Sequence, residues 1–292
     1  MKTILLTDSC CDLPLSYVKE NSENIEIIGM PINIGADNFV DDLGDQNYDH
    51  PEFYNQLRSG ILAKTAQITP VDFHKAFKKH YDQGRSTVYI GFSSGMSGTF
   101  NNAVLAKQMI HEEHPDAIID IIDSHSASIG QGVLCMKAIN MIKSNANQNA
   151  IVDWVQDNKM NTQHWFAVCD LMYLKNGGRI PASIAAVGTL LNVKPILTVN
   201  ADGKLKSHSK VRGRKKSLRY LAEKVKEKNE HTDHPVIVIA HGDCLEDANR
   251  MKEMVLSEFT DAEIVVSEIS ATIATHVGPN MIAIGFMGEE RT

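Results

Sequence analysis

Residues 87–113 read Thr-Val-Tyr-Ile-Gly-Phe, then Ser-Ser-Gly-Met-Ser-Gly-Thr, then Phe-Asn-Asn-Ala-Val-Leu-Ala-Lys-Gln-Met-Ile-His-Glu-Glu. An apolar run of strand length, a turn dense in glycine and hydroxyls, and a run of helical length follow without a gap. This is one strand-turn-helix step of a parallel sheet, and it recurs on both sides. Before it, Thr3–Leu6 is a short strand ending in Thr7-Asp8-Ser9, and a helix follows Pro14. Ile25–Ile34 is a second extended run, broken at Pro31, and Val71–Tyr81 is a helix opened by Thr69-Pro70. After it, Ile118–Ile122 ends in Asp123-Ser124 and leads to a helix over Val133–Lys143. Asp8-Ser9, Ser93-Ser94 and Asp123-Ser124 therefore fall at the carboxyl ends of parallel strands, where ligand groups gather.

The second half has a different grain. Trp165–Val168 is a strand and Ile184–Leu191 a very apolar helix. Pro195–Val199 and Leu205–Val211 form a hairpin about Asn200-Ala201-Asp202-Gly203. A helix over Ser217–Asn229, a strand over Val236–Ala240, a helix over Glu246–Phe259 and strands over Ile264–Ile269 and Met281–Phe286 complete it. The expected fold class is α/β, in two domains. Residues 1–160 form an N-terminal three-layer domain with a mainly parallel sheet. Residues 161–292 form a C-terminal α/β domain with a mixed sheet. The polar stretch 145–165 joins them.

The 292 residues suffice for a sizeable core, and 43% hydrophobic with 22% charged residues is the balance of a soluble globular chain. The net charge of −7 weighs against nucleic acid as a partner. Five cysteines without a C-x-x-C pair fit a reducing cytoplasm, and the start shows no signal-peptide pattern. Ile180–Val193 is too short to span a membrane, and Ile269–Gly288 carries Ser270, Thr272, Thr275, His276 and Gly278-Pro279, so it reads as buried soluble structure.

Gly91-Phe92-Ser93-Ser94-Gly95 has the outline of a G-x-S-x-G nucleophile elbow, with His276 available later in the chain. Yet further hydroxyls crowd the turn. Its N–H and O–H groups at a helix start suit an anion cradle better than a single nucleophile, while Ser97 suffices to cap the helix from Thr99. Thr65 and Gln67 sit in the approach to the next helix, and spacing alone leaves open whether they reach a ligand. Neither His111-Glu112-Glu113-His114 nor His241-Gly242-Asp243-Cys244 has a second pair to complete a metal site, so no metal is expected. Gly130-Gln131-Gly132 lacks the third glycine of a dinucleotide loop and reads as helix-start packing. Lys204 to Lys216 is a basic stretch, either a solvated face or a docking patch. Ile184, Val187, Leu190 and Leu191 make one helical stripe beside small residues. Core packing and an alkyl tunnel demand the same composition, and the residues leave both open.

Taken together, the chain resembles the DegV family of bacterial fatty-acid-binding proteins. The resemblance rests on Thr7-Asp8-Ser9, the Thr65 segment, Ser93–Thr99, Asp123-Ser124 and Leu174–Ile180. It continues through Leu191–Leu197, Asp202–Leu205, Val211–Lys216 and Thr275–Pro279. It implies a non-catalytic, cytoplasmic carrier that binds a long-chain fatty acid as ligand, with no cofactor. The acid is presented to a separate ATP-dependent fatty-acid kinase subunit, and the acyl phosphate is then carried toward phospholipid synthesis. Transient membrane contact is compatible with that role. By the same resemblance Thr65 and Ser93 hold the carboxylate, Ser94 and Gly95 belong to the cradle, and His276 stands behind it. Arg179 and Arg212 lie near the head group or on the surface a kinase would meet, and Ile184, Val187, Leu190 and Leu191 line the acyl chain. Ala66 and Ile68 replace a more usual serine or proline, and Asn280 follows Pro279. These departures spare the carboxylate contacts and bear on the pocket's mouth. The rival reading is a serine hydrolase using Ser93 and His276.

Overall fold

The structure is a computed structural model and describes residues 1–185, 192–229 and 235–292. The first half runs β1 (Lys2–Asp8), α1 (Leu15–Glu20), β2 (Ile25–Ile28), β3 (Pro31–Ile34), β4 (Asp37–Val40), α2 (His50–Arg58), β5 (Ala63–Thr65), α3 (Pro70–Asp82), β6 (Arg85–Gly91), α4 (Thr99–Glu113), β7 (Ile119–Asp123), α5 (Ile129–Lys143) and α6 (Gln148–Asn158). The second half runs β8 (Thr162–Ala167), α7 (Met172–Asn176), α8 (Ala182–Ala185), β9 (Val193–Val199), β10 (Leu205–Arg212), α9 (Arg214–Lys228), β11 (Val236–His241), α10 (Leu245–Leu256), β12 (Glu263–Glu268), α11 (Ala271–Val277) and β13 (Ile282–Met287).

Strands β2-β1-β6-β7 form a wholly parallel sheet. Ser86 to Gly91 of β6 are all buried, as expected of a central parallel strand covered on both faces. Helices α3 and α4 cover one face, α5 and α6 the other. Strands β10-β9-β8-β13-β11-β12 form the mixed sheet, antiparallel except for β11 and β12. Its pleat sorts two cores. Trp165, Ile237, Ile239 and Ile284 face α9 and α10, while Phe166, Val238, Ala240 and Ala283 face the other way, into the core shared with the parallel sheet.

Helix α5 is the joint. It is apolar nearly all round and packs against both sheets, so it is buried between them rather than amphipathic. Gly285 makes the contact close: a Cβ there would lie 2.8 Å from Ile129 Cβ. The predicted βα rhythm and the hairpin about residues 200–203 are both present.

Two features differ from the sequence expectation. Residues 37–65, without a clear period, contain β4, α2 and β5, and β4-β3-β5 make a small antiparallel sheet of their own. The break expected at Pro31, a strand-opening residue without an N–H, is present, and it sends β2 to the large sheet and β3 to the small one. Ser97 does not occupy the cap position of α4, which is Gly98; its hydroxyl accepts the Thr99 N–H at 3.2 Å. Of the apolar helix expected over 184–191, residues 184 and 185 fall in α8, and 186–191 lie outside the described residues.

Candidate ligand-binding site

The Ser93 loop is held by carboxylates from both neighbouring strands. Asp8 Oδ2 accepts the Phe92 N–H at 2.9 Å and the Tyr89 hydroxyl at 2.8 Å, and Asp8 Oδ1 accepts the Cys10 N–H and the Gln131 amide. Asp123 Oδ1 accepts the N–H groups of Ser94 and His125 at 3.2 and 3.0 Å. The three strand ends thus converge as the alternation implied. Burial raises the Asp8 pKa, and its four donors act against that rise.

Ser93 itself is fully buried. Its hydroxyl donates to the Gly203 carbonyl at 2.8 Å and accepts the Gly95 N–H at 3.2 Å. Gly203 has φ +68°, and a Cβ there would lie 2.1 Å from Ser93 Oγ. A Cβ on Gly95 would lie 2.5 Å from the Asp202 carbonyl oxygen. The serine loop and the β9–β10 turn therefore meet backbone to backbone, and Ser93 joins the two halves of the molecule. Arg291 reinforces the joint by donating to the His125 and Asn200 carbonyls.

Thr65 ends β5, paired with Ile32. Its hydroxyl lies 2.9 Å from Nε2 of His276, one residue from the end of α11. The other ring nitrogen, Nδ1, is buried without a partner. A Cβ on Gly177 would come within 2.1 Å of it, so glycine is what admits the ring. Burial, with the Arg179 charge acting the same way, lowers the His276 pKa to about 4, and the imidazole is neutral at pH 7. Arg179 is half-buried and donates to the Gly177 carbonyl.

These three side chains line a cavity of about 170 Å³. Gln67 joins them there, and Met30, Phe166, Leu174, Ile273 and Ala283 supply apolar wall. Thr65, Arg179 and His276 also line a second recess of about 260 Å³, together with Leu62, Lys64, Tyr173 and Asn176. The polar group is thus a wall common to the two recesses.

The sequence candidates divide accordingly. Thr65, Arg179 and His276 come together. Ser93, Ser94 and Gly95 are not among the described residues lining the cavity: Ser93 faces Gly203, Ser94 is exposed, and Phe92, Met96 and Ser97 represent the loop instead. Arg212 is exposed at the end of β10, whereas Arg214 pairs with Asp247 at 2.7 Å. Ile184 is half-buried against the main core and is not among the described lining residues; Val187, Leu190 and Leu191 lie outside the described residues. Sequence reasoning missed Met30, Phe166, Ile273 and Ala283. The alternation of Phe166 against Trp165 was a usable signal, but it does not say which face is hollow. Among the described residues, no cluster of three His, Cys, Asp or Glu is placed to hold a metal ion, and no helix is long and apolar enough to cross a membrane.

The sequence model of the DegV family, described as uncharacterised protein, matches residues 2–289. This chain belongs to the DegV family. A DegV domain-containing protein of Clostridium perfringens is 38% identical over 290 residues, covering 99% of both chains. Another, from Lactococcus lactis, is 32% identical over 280 residues, covering 96% of both. The fold matches a DegV lipid-binding protein of Thermotoga maritima with TM-score 0.87 and 25% identity, over the whole of both chains. It also matches a fatty-acid-binding DegV family protein of Streptococcus agalactiae with TM-score 0.83 and 28% identity, over 99% of this chain and all of that one.

Proposed function

We propose that this DegV chain is a non-catalytic carrier that binds a long-chain fatty acid. In this reading it works in the cytoplasm, presents the carboxylate to a separate ATP-dependent kinase subunit, and carries the resulting acyl phosphate toward phospholipid synthesis. The observation that carries the reading is the shared wall: Thr65, His276 and Arg179 line both a largely apolar cavity and a second recess. The fatty-acid-binding and lipid-binding family members with the same fold support it.

The chemistry is consistent. Burying an alkyl chain gains about 0.8 kcal/mol per methylene. The carboxylate cannot follow it unpaired, because desolvation costs several kcal/mol. A hydroxyl, a neutral imidazole able to donate, and a guanidinium answer that need. Ser93 would serve the same carboxylate only by turning away from Gly203; where it stands, it shapes the loop whose Phe92, Met96 and Ser97 face the cavity. The second recess suits an incoming phosphoryl donor held by a partner. The hydrolase reading fares worse, since the Ser93 hydroxyl is directed at a carbonyl and His276 bonds Thr65. Delipidated protein should bind a C16 fatty acid at one site per chain. Absence of saturable binding would remove the proposal.

A further inference from the structure

The helix that carries His276 is held from its start by the other half of the molecule. Helix α11 has seven residues, too few to be stable alone, and its first N–H groups have no partner within the helix. Each nonetheless finds a side chain. Ser270 N–H donates to Asp12 Oδ1 at 2.9 Å, Ala271 N–H to the Tyr48 hydroxyl at 3.1 Å, Thr272 N–H to Asp41 Oδ2 at 2.8 Å, and Ile273 N–H to Ser270 Oγ at 3.3 Å. Three of these four acceptors come from residues 12–48. Asp41 also accepts the Thr272 hydroxyl, the Tyr48 hydroxyl and the Leu43 N–H, so both of its oxygens are engaged. Asp12 and Asp41 are buried, and among the described residues no cation contacts either; the helix start is the positive group they face.

The second half of the argument is where these anchors sit. Asp41 directly follows β4, and Thr65 ends β5. Both strands pair with β3 in the small sheet, with Pro31 opposite Val40 and Ile32 opposite Thr65. One small sheet therefore holds α11 at its first turn through Asp41 and near its last residue through the Thr65–His276 bond. The distance from helix start to imidazole is fixed against the strand that supplies the hydroxyl.

We infer that Asp41, supported by Tyr48 and Asp12, is a positioning residue: it sets the His276 ring against Thr65 and thereby the geometry in which the cavity receives an acidic head group. This rests on the carrier reading above. It predicts that loosening the helix start weakens recognition of the head group but not of the alkyl tail.

The test uses the full chain as Asp41→Asn and, separately, Tyr48→Phe, which keeps the ring stacked on Phe39. Two ligands are titrated, a C16 fatty acid and the C16 alcohol, and the His276 ring is followed by NMR with and without ligand. Asp41→Asn should weaken the acid about tenfold, equivalent to ~1.4 kcal/mol, and the alcohol less than about twofold. The His276 resonances should move in the ligand-free protein, and Tyr48→Phe should lie between wild type and Asp41→Asn. Equal losses for acid and alcohol, or unmoved His276 resonances in a folded variant, would overturn the inference. If Asp41→Asn does not fold, Tyr48→Phe decides by the same two readouts. If wild-type protein binds neither ligand, the carrier reading fails, and the ligand-free His276 resonances still decide whether Asp41 positions the ring.

Discussion

Replacing Thr65 by valine removes one oxygen and little volume. In the ligand-free protein it leaves Nε2 of His276 without its 2.9 Å partner, while Nδ1 already has none. A lost neutral hydrogen bond costs about 1 kcal/mol. For a chain of this size that lowers Tm by about 2–4 °C. With ligand bound the effect is larger. A hydrogen bond to a charged group is worth about 1.5–3 kcal/mol, which weakens fatty-acid binding about 10- to 150-fold. Calorimetric titration of delipidated wild type and Thr65→Val with a C16 acid measures it directly, and thermal unfolding of the same samples measures the smaller effect. Equal affinities in the two proteins would show that the carboxylate is not held at the shared wall. A loss of Tm beyond about 10 °C would mean that Thr65 supports β5 rather than the ligand.

Other outcomes follow from named contacts. Ala283→Phe, on the cavity wall, should abolish binding of a C16 acid while a C8 acid still binds; unchanged C16 binding would put the chain elsewhere. A fluorophosphonate should leave Ser93 unlabelled in folded protein, because its hydroxyl faces Gly203; stoichiometric labelling would revive the hydrolase reading. Two buried groups should bend stability against pH in opposite senses. Burial raises the Asp12 pKa to about 7, so its contribution is full below its unfolded value of about 3.9 and is lost as pH rises through 7. Burial lowers the His276 pKa to about 4, so its contribution is full above its unfolded value of about 6.5 and is lost as pH falls through 4. Asp12→Asn should therefore flatten the decline on the rising side of a Tm–pH profile, and His276→Gln the decline on the falling side; profiles parallel to wild type would contradict both assignments.

The large elements were legible because period and punctuation agree in them. Val88–Ile90 is continuously apolar and Thr69 caps α3 by accepting the Asp72 N–H, features that local chemistry dictates. The small sheet was not legible. β4 and β5 are four and three residues long, and Asp37-Asn38-Phe39-Val40 has no burial alternation to mark it as a strand. It exists because β3 pairs with both, a tertiary fact. At the site, Thr65 and His276 are separated by 211 positions, and nothing local to either requires their contact. What brings them together is the grip of Asp12, Asp41 and Tyr48 on α11, an arrangement of side-chain acceptors around backbone donors that leaves no periodic trace. Ser93 is the opposite case. Its motif was conspicuous, but the same hydroxyl suits a ligand or a neighbouring turn, and its bond to Gly203 is again a contact that nothing local requires.

The central claim is that an alkyl chain lies in the cavity behind Thr65, His276 and Arg179. Native mass spectrometry of the protein purified from a bacterial host, followed by denaturation and analysis of what is released, tests it most directly. One long-chain fatty acid per chain, lost in the Ala283→Phe variant, is the expected result. Protein that carries no lipid, and that also fails to take up a C16 acid when it is supplied in excess, would contradict it.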